Sequence, residues 1–571
     1  MSQATGTRRH FAFTESLLGY GTMLALVAVL VTFLILPVGV ILVKAFRGPS
    51  GFTLDYFKLL FANELHMEAT LNSLALGLVT VIATTIVALP LALANAKLDF
   101  PGKGLLTGLL LMPMVMPPFV GAIGIQRFFA RRGVVNLLLM KLGLTETPIE
   151  WLEGSRIFWA VAVLEALHLY PILYLNLTSA LANIDPSLDD VADTLGVSRW
   201  KRLKDITWPL ARPGYFAGAI IVFIWAFTDL GTPLLVGYQQ ALPVRIFNMI
   251  SDVNENPVGF ALVVLVIVLT LVIFFVSKAT LAGKKYEMLA RGHVTNRVQK
   301  LSVWGAIPCY LMLGTVIFAA VVPHLSVLLT SFSDNWFMTI LPEHYTLEHY
   351  QHVLSTELPV IGIKNSLLFS GISTVVDLVL GVLIAYVIVR KVVPFTQLLE
   401  GVTMMPLALP GIVLAFGYVV TFTGTKIDPF VNPMPLLIIA YAIRRLPYMV
   451  RAAIAGLMQT SRSLEEASMV FGASRFTTLR RITMPLIAAN LVAGCLLCFA
   501  YAMLDVSDSL ILAMKDRFYP LTKAIYSLFL EQGRGELTAS ALGVIGMIIL
   551  AGCLLGASRV LGQKMGELFR S

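Results

Sequence analysis

The sequence predicts an all-α integral membrane protein, with twelve transmembrane helices arranged as two parallel six-helix repeats. Three observations predict it. Of 571 residues, 57% are hydrophobic and only 13% charged, with a mean hydropathy of +0.82, which no soluble globular chain of this size shows. Twelve apolar stretches reach the roughly 20 residues that a helix needs to cross about 30 Å of hydrocarbon. A polar element of 24 residues also occurs twice, 276 positions apart, each copy between two such stretches.

In chain order the spans fall at 21–46, 72–96, 104–126, 157–182, 213–237, 257–282, 302–331, 365–389, 398–423, 433–458, 484–512 and 537–558. Their apolar runs are continuous rather than alternating, which excludes a barrel. The first run is too long for a signal-peptide core and no small-residue cleavage site follows it, so it reads as a retained helix. Pro113 and Pro117 interrupt the third span, and Pro406 and Pro410 the ninth. Each removes a helix hydrogen bond. Matched interruptions in two halves point to a pathway or gate, with a packing kink as the alternative.

Ionisable side chains at membrane depth are costly and face a protein interior or a wet cavity. Those here are Glu165 and His168 in the fourth span, Asp229 in the fifth, Asp377 in the eighth, Arg444 and Arg445 in the tenth, and Asp505 in the eleventh. Asp229 and Asp505 keep the 276 offset, so a pseudo-twofold axis brings them near each other, for solute contact or for hydrogen bonding to neighbouring helices. Loss of both is expected to impair transport more than assembly. An unpaired arginine at 444 or 445 favours an anionic solute; pairing with Asp505 or Asp377 is the other possibility. No His, Asp or Glu cluster has metal-ligand spacing, so no metal site is expected. The four cysteines, Cys309, Cys495, Cys498 and Cys553, lie in apolar runs and read as small packing residues.

The net charge of +9 needs no nucleic acid to explain it. With the N-terminus in the cytoplasm, the loops on that side carry the excess of Lys and Arg, as the positive-inside rule requires. Both polar elements, the central linker and both termini then face the cytoplasm. The repeat extends beyond the element, since Pro171 and Pro447 keep the 276 offset. Asn72-Ser73 and Asn365-Ser366, like the proline pairs, are offset by 293, so the first half holds 17 extra residues, placed in the outside segment 127–156. The organisation expected is a first half at 1–282, a cytoplasmic linker at 283–301 and a second half at 302–571.

The polar elements run from Ser187 to Leu210 and from Ser463 to Leu486, with ten identities and no gap. Ser187 with Asp190, and Ser463 with Glu466, have capping-box spacing and are expected to start a short helix. Gly196 and Gly472 end it in a left-handed turn. Ser198 and Ser474 cap a second helix carrying Arg199 and Arg475, and Pro209 and Pro485 open the next span. Two matched polar knuckles suggest two docking sites for a partner with two equivalent halves.

Glu466-Ala467-Ser468, Gly472 and Ile482-x-Met484-Pro485 resemble the acid-Ala-Ala-x-x-x-Gly…Ile-x-Leu-Pro signature of permease subunits of binding-protein-dependent ABC importers. The first copy is looser, with Asp190-Val191-Ala192, Gly196 and Trp208-Pro209. The resemblance implies a type I ABC importer permease fold, with each element a coupling helix seated on one of two ATPase subunits that bind ATP and Mg. It also implies an external solute-binding protein and a bacterial inner membrane. The fused form looks most like the ferric-iron, thiamine and 2-aminoethylphosphonate group. Ferric iron is the first expectation for the solute; 2-aminoethylphosphonate or another small anion is the alternative. No phosphate-loop motif occurs, so the chain is expected to be a transport subunit without its own ATPase or other enzyme activity, and to bind no cofactor itself. A proton-coupled secondary transporter also has twelve spans, but has no use for paired docking knuckles.

Overall fold

In hydrocarbon every backbone polar group must be satisfied within the chain, and helices do so locally. The computed structural model, which describes residues 20–115, 117–250, 257–282, 299–391 and 394–561, is accordingly mostly helical (77%). The first half holds α1 (Tyr20–Ala45), α2 (Glu64–Lys97), α3 (Lys103–Leu110), α4 (Pro118–Phe129), α5 (Arg156–Ala182), α6 (Ser187–Thr194), α7 (Arg199–Thr228), α8 (Gly231–Val236) and α9 (Val258–Ala282). The second holds α10 (Ile307–Phe332), α11 (Glu357–Arg390), α12 (Thr396–Met404), α13 (Gly411–Phe422), α14 (Met434–Gln459), α15 (Arg462–Val470), α16 (Phe476–Leu486), α17 (Ala488–Met503), α18 (Ser507–Leu512) and α19 (Gly535–Leu561).

Among the described residues eight helices are long and apolar enough to cross a membrane, or up to eleven if each of three bent pairs is one span, against the twelve expected. The difference is α14. It has 26 residues, but any 18-residue window in it contains Arg444, Arg445 and Arg451. The fifth and eleventh spans also depart from the straight helices expected: α7 stops before Asp229 and α17 before Asp505, and each gives way to a six-residue helix. The linker expected at 283–301 lies outside the described residues up to 298, as do both termini. Gln299–Lys300 pairs in parallel with Leu98–Asp99 just past the end of α2.

The two halves interlock through their first helices. α1 packs on α13 of the second half, and α10 packs on α4 of the first. The contact uses one equivalent glycine on each side. A Cβ on Gly417 would meet Pro37 Cβ at 3.0 Å, and one on Gly124 would overlap the Pro323 carbonyl. Close helix approach in lipid depends on such small residues. Tyr418 adds a hydrogen bond from its hydroxyl to the Phe33 carbonyl at 2.7 Å. Gly124→Ala is expected to destabilise the solubilised protein by about 1–3 kcal/mol through overpacking. Gly417→Ala should cost less, because its neighbours, the Pro37 and Ile41 side chains at 3.0 and 3.2 Å and the Pro37 backbone carbon at 3.2 Å, stand farther off than the Pro323 carbonyl does from Gly124. Thermal unfolding in detergent measures both, and equal midpoints for the two variants would contradict the ranking.

A second matched contact ties each half internally. Ser73 accepts the Leu242 backbone N–H at 2.8 Å, and Ser366 that of Leu521 at 2.6 Å. The serines of the two Asn-Ser pairs thus do the same work in both halves.

Candidate functional site

Each polar element folds as helix, glycine turn, helix. Gly196 and Gly472 have φ of +66° and +88°, a left-handed backbone that a side chain adopts only under strain. Ser198 accepts the Lys201 N–H at 3.4 Å and Ser474 the Thr477 N–H at 3.2 Å, so both second helices are capped as expected. The capping box is not where the spacing put it. The chain turns two residues earlier, so Ser187 and Ser463 lie within the first turn, and Asp185 and Ser461 accept their backbone N–H groups at 2.9 and 3.3 Å. That bond holds the Asp185 carboxyl below the usual carboxylate range. Pro209 and Pro485 also differ from expectation, because helix runs straight into them from the element. A proline ring crowds the carbonyl four residues back. The helix widens just ahead of each, with bonds from Trp208 N–H to the Leu203 carbonyl and from Met484 N–H to the Leu479 carbonyl.

The side chains sort by helix phase. Asp190, Val191, Arg199, Glu466 and Ala467 face outward, while Ala192 is buried. Glu466 pairs with Arg462 at 3.0 Å, and Ser468 bonds Thr478 at 2.9 Å. The neighbouring acids, which sequence reasoning passed over, turn inward. Asp189 pairs with Lys97, and Glu465 with Arg390 at 2.7 Å, each base standing at the end of the long helix α2 or α11. Arg390 also reaches Thr460, and Thr483 donates to Glu465 at 3.1 Å. Both partners keep the repeat offsets, 293 for the base and 276 for the acid, so the signal was in the sequence. The outer face of the two elements carries Leu195, Trp200, Phe471 and Phe476, which are 72–91% exposed.

Between the halves lies a cavity of about 220 Å³, lined from the first half by Glu165, His168, Trp225 and Asp229 among others. The second half adds Pro406, Pro410, Arg444, Arg445 and Asp505. Of the pathway candidates, Asp229, Pro406, Pro410, Arg444 and Asp505 therefore meet at one place. Pro113 and Pro117 do not line it; Met114 between them does. Near Pro410 the ninth span bends by 101°, and Gly411 leaves room for the Arg444 guanidinium, which a Cβ would overlap at 2.5–2.7 Å.

Asp229 and Asp505 do the same backbone work. Asp229 accepts the Thr232 N–H at 2.8 Å and Asp505 the Asp508 N–H at 2.8 Å, each capping the short helix after the break. Only Asp505 is also an ion-pair hub. It receives Arg444 at 2.7 Å and Arg445 at 2.6 Å, and Arg444 reaches Asp508 at 2.9 Å. The two arginines are thus paired, with Asp505 rather than Asp377 as the nearer acid. Asp508 did not stand out in the sequence, although its equivalent in the first half is Thr232.

The family described as binding-protein-dependent transport system inner membrane component matches residues 84–282 and again 377–567. Ferric transport system permease protein FbpB of Actinobacillus pleuropneumoniae is 27% identical over 508 residues, covering 87% of this chain and 72% of its own length. The FbpB 1 protein of Haemophilus influenzae is 27% identical over 511 residues, covering 87% and 78%. A bacterial ABC transporter chain involved in alginate import aligns with 45% of this chain and 96% of its own at 17% identity, with a TM-score of 0.35, too low to add to the assignment. With two matches spanning more than half its length, the chain belongs to the binding-protein-dependent transport system inner membrane components, as a multi-pass permease subunit of ABC importers and not an ATPase or an enzyme in itself.

Proposed function

We propose that this chain carries both halves of the permease of a ferric-iron importer, with residues 1–282 and 302–571 as the two halves and 283–301 as the tether between them. Permeases of this family work with separate ATPase and binding-protein partners. Two ATPase subunits, which hold ATP and Mg, dock on the two elements through Asp190, Val191, Gly196, Ser198 and Arg199 on one side. On the other side they meet Glu466, Ala467, Gly472, Ser474 and Arg475. An external binding protein delivers the solute to the opposite face. The chain sits in a bacterial inner membrane with both termini in the cytoplasm, in keeping with its Lys and Arg distribution.

The observation that carries the docking reading is the pairing of exposed aromatic and aliphatic knobs with an inward ion pair, repeated in both halves. Aromatic residues of this kind anchor protein interfaces. An apolar tip on a helix tied to α2 or α11 transmits force, because the ion pair links the tip to a membrane helix. Closure of the ATPase dimer draws the two elements together and rocks the halves about the cavity. The iron reading rests on relatives of that name matching over 87% of the chain.

The test uses the complex co-expressed with its ATPase and binding protein. Phe471→Ser with Phe476→Ser should remove most of the co-purifying ATPase while the chain still inserts. Wild-type complex in vesicles should take up labelled ferric iron only with internal or external ATP on the ATPase side. ATPase retention by the serine variant would remove the docking reading, and uptake without ATP would favour a secondary transporter.

A further inference from the structure

We infer that the cavity between the halves receives its cargo as a metal cation on the carboxyl groups of Glu165 and Asp229, and not as an anion on Arg444 and Arg445. The inference deepens the ferric-iron reading and rests on it.

The charge of both arginines is already balanced. Arg444 is shared between Asp505 and Asp508, and Arg445 bonds Asp505 and the Tyr501 carbonyl at 2.8 Å; its Nη1, without a hydrogen bond among the described residues, stands 3.7 Å from Asp508. An anion arriving here would have to displace a buried carboxylate that also caps α18. The first-half wall is the reverse case. Glu165 is 3% exposed, and its Oε1 has no hydrogen-bond partner among the described residues, nor has His168 Nδ1. Asp229 stands beside Glu165, its oxygens turned to the N–H groups of Gly231 and Thr232. Among the described residues no Lys or Arg forms an ion pair with Glu165 or Asp229.

Two arginines and the carboxyl groups of Glu165, Asp229 and Asp505 line the cavity, and Asp508 lies just outside the lining, bonded to Arg444. The arginines balance Asp505 and Asp508. Glu165 and Asp229 need a shared proton or a bound cation between them, since adjacent carboxylates disfavour each other's charge. Carboxylate oxygens suit a hard cation. The repeat makes the asymmetry specific, because the second-half equivalents of Glu165 and His168 are Tyr441 and Arg444. One half presents ligand oxygens while the other presents spent positive charge. Among the described residues no three His, Cys, Asp or Glu groups converge on one metal position. A conduction site needs that weakness, because a full cage would hold the ion rather than pass it.

The experiment compares wild type and Glu165→Gln in the whole complex, in vesicles with ATP and iron-loaded binding protein. Ferric-iron uptake should fall at least tenfold in E165Q, while ATP hydrolysis stimulated by the binding protein stays within about twofold of wild type, and Glu165→Asp should recover part of the uptake. As a second readout, terbium(III) added to the wild-type complex should give luminescence sensitised by Trp225, lost in Trp225→Phe and in E165Q. Unchanged iron uptake in E165Q overturns the cavity assignment and leaves the iron reading standing. Iron uptake absent from wild type overturns the iron reading itself. Should E165Q fail to assemble, absence of Trp225-dependent emission in wild type overturns the assignment on its own.

Discussion

Asp505→Ala is expected to prevent assembly, whereas the equivalent change Asp229→Ala is not. Asp505 receives two guanidinium groups within 2.7 Å inside the membrane and caps α18 with its other oxygen. Removing one member of a buried charge network costs about 3–5 kcal/mol, and losing an N-cap costs about 1 kcal/mol more. A loss of about 1–2 kcal/mol already changes the amount of folded protein several-fold, so monodisperse D505A should nearly vanish from detergent extracts. Asp229→Ala removes a cap but strands no positive charge, and the protein should still be recovered. Where the sequence led to the expectation that losing both acids harms transport more than assembly, the geometry limits that expectation to Asp229. The charge argument has its own control. Asp505→Ala with Arg445→Met leaves Arg444 and Asp508 as one balanced pair at 2.9 Å, and assembly should return. Size-exclusion profiles of the three variants decide it: a double variant no better than D505A would mean that unpaired arginine is not the cause.

Why the Asp505 hub was only half legible in the sequence follows from what repeats do and do not encode. The offset of 276 paired Asp229 with Asp505; the structure adds that each caps the short helix that follows it. The offset could not predict the ion pairs, because the first half has His168 and Leu169 where the second has Arg444 and Arg445. Gly196 and Gly472 were readable because a left-handed turn leaves few residue choices. The caps at Asp185 and Ser461 were not, since serine at 187 or 463 satisfies the same rule two residues later. Acids at 189 and 190 differ only in helix phase, about 100° apart, so composition alone cannot say which turns inward. The interlocking of α1 with α13 and α10 with α4 left no trace beyond Gly124 and Gly417, because lipid-facing and partner-facing apolar surfaces look alike in sequence.

Helix phase also sets the second large effect. Glu465→Ala should uncouple the transporter far more than Asp189→Ala, although the two acids are equivalent by the repeat. The side chains of the Arg390–Glu465 pair are 11% and 6% exposed, and Thr460 and Thr483 complete it. Those of Lys97–Asp189 are 38% and 23% exposed, and Arg202 stands by at 3.6 Å to take a share of the charge. Stranding Arg390 falls under the buried-pair penalty of about 3–5 kcal/mol. The wetter pair contributes about 1 kcal/mol or less after screening by solvent. Because Glu465 fastens α15 to the end of α11, its loss should let the docked ATPase close without moving the membrane helices. ATP hydrolysis would continue while solute imported per ATP falls several-fold. Arg390→Met with Glu465→Leu removes both charges; it should restore thermal stability toward wild type but not coupling, since an apolar contact at the same place lacks the forked hydrogen bonds that fix the helix angle. Hydrolysis and uptake measured together on the single and double variants test this, and equal coupling in E465A and D189A would show that the second element is not the firmer lever.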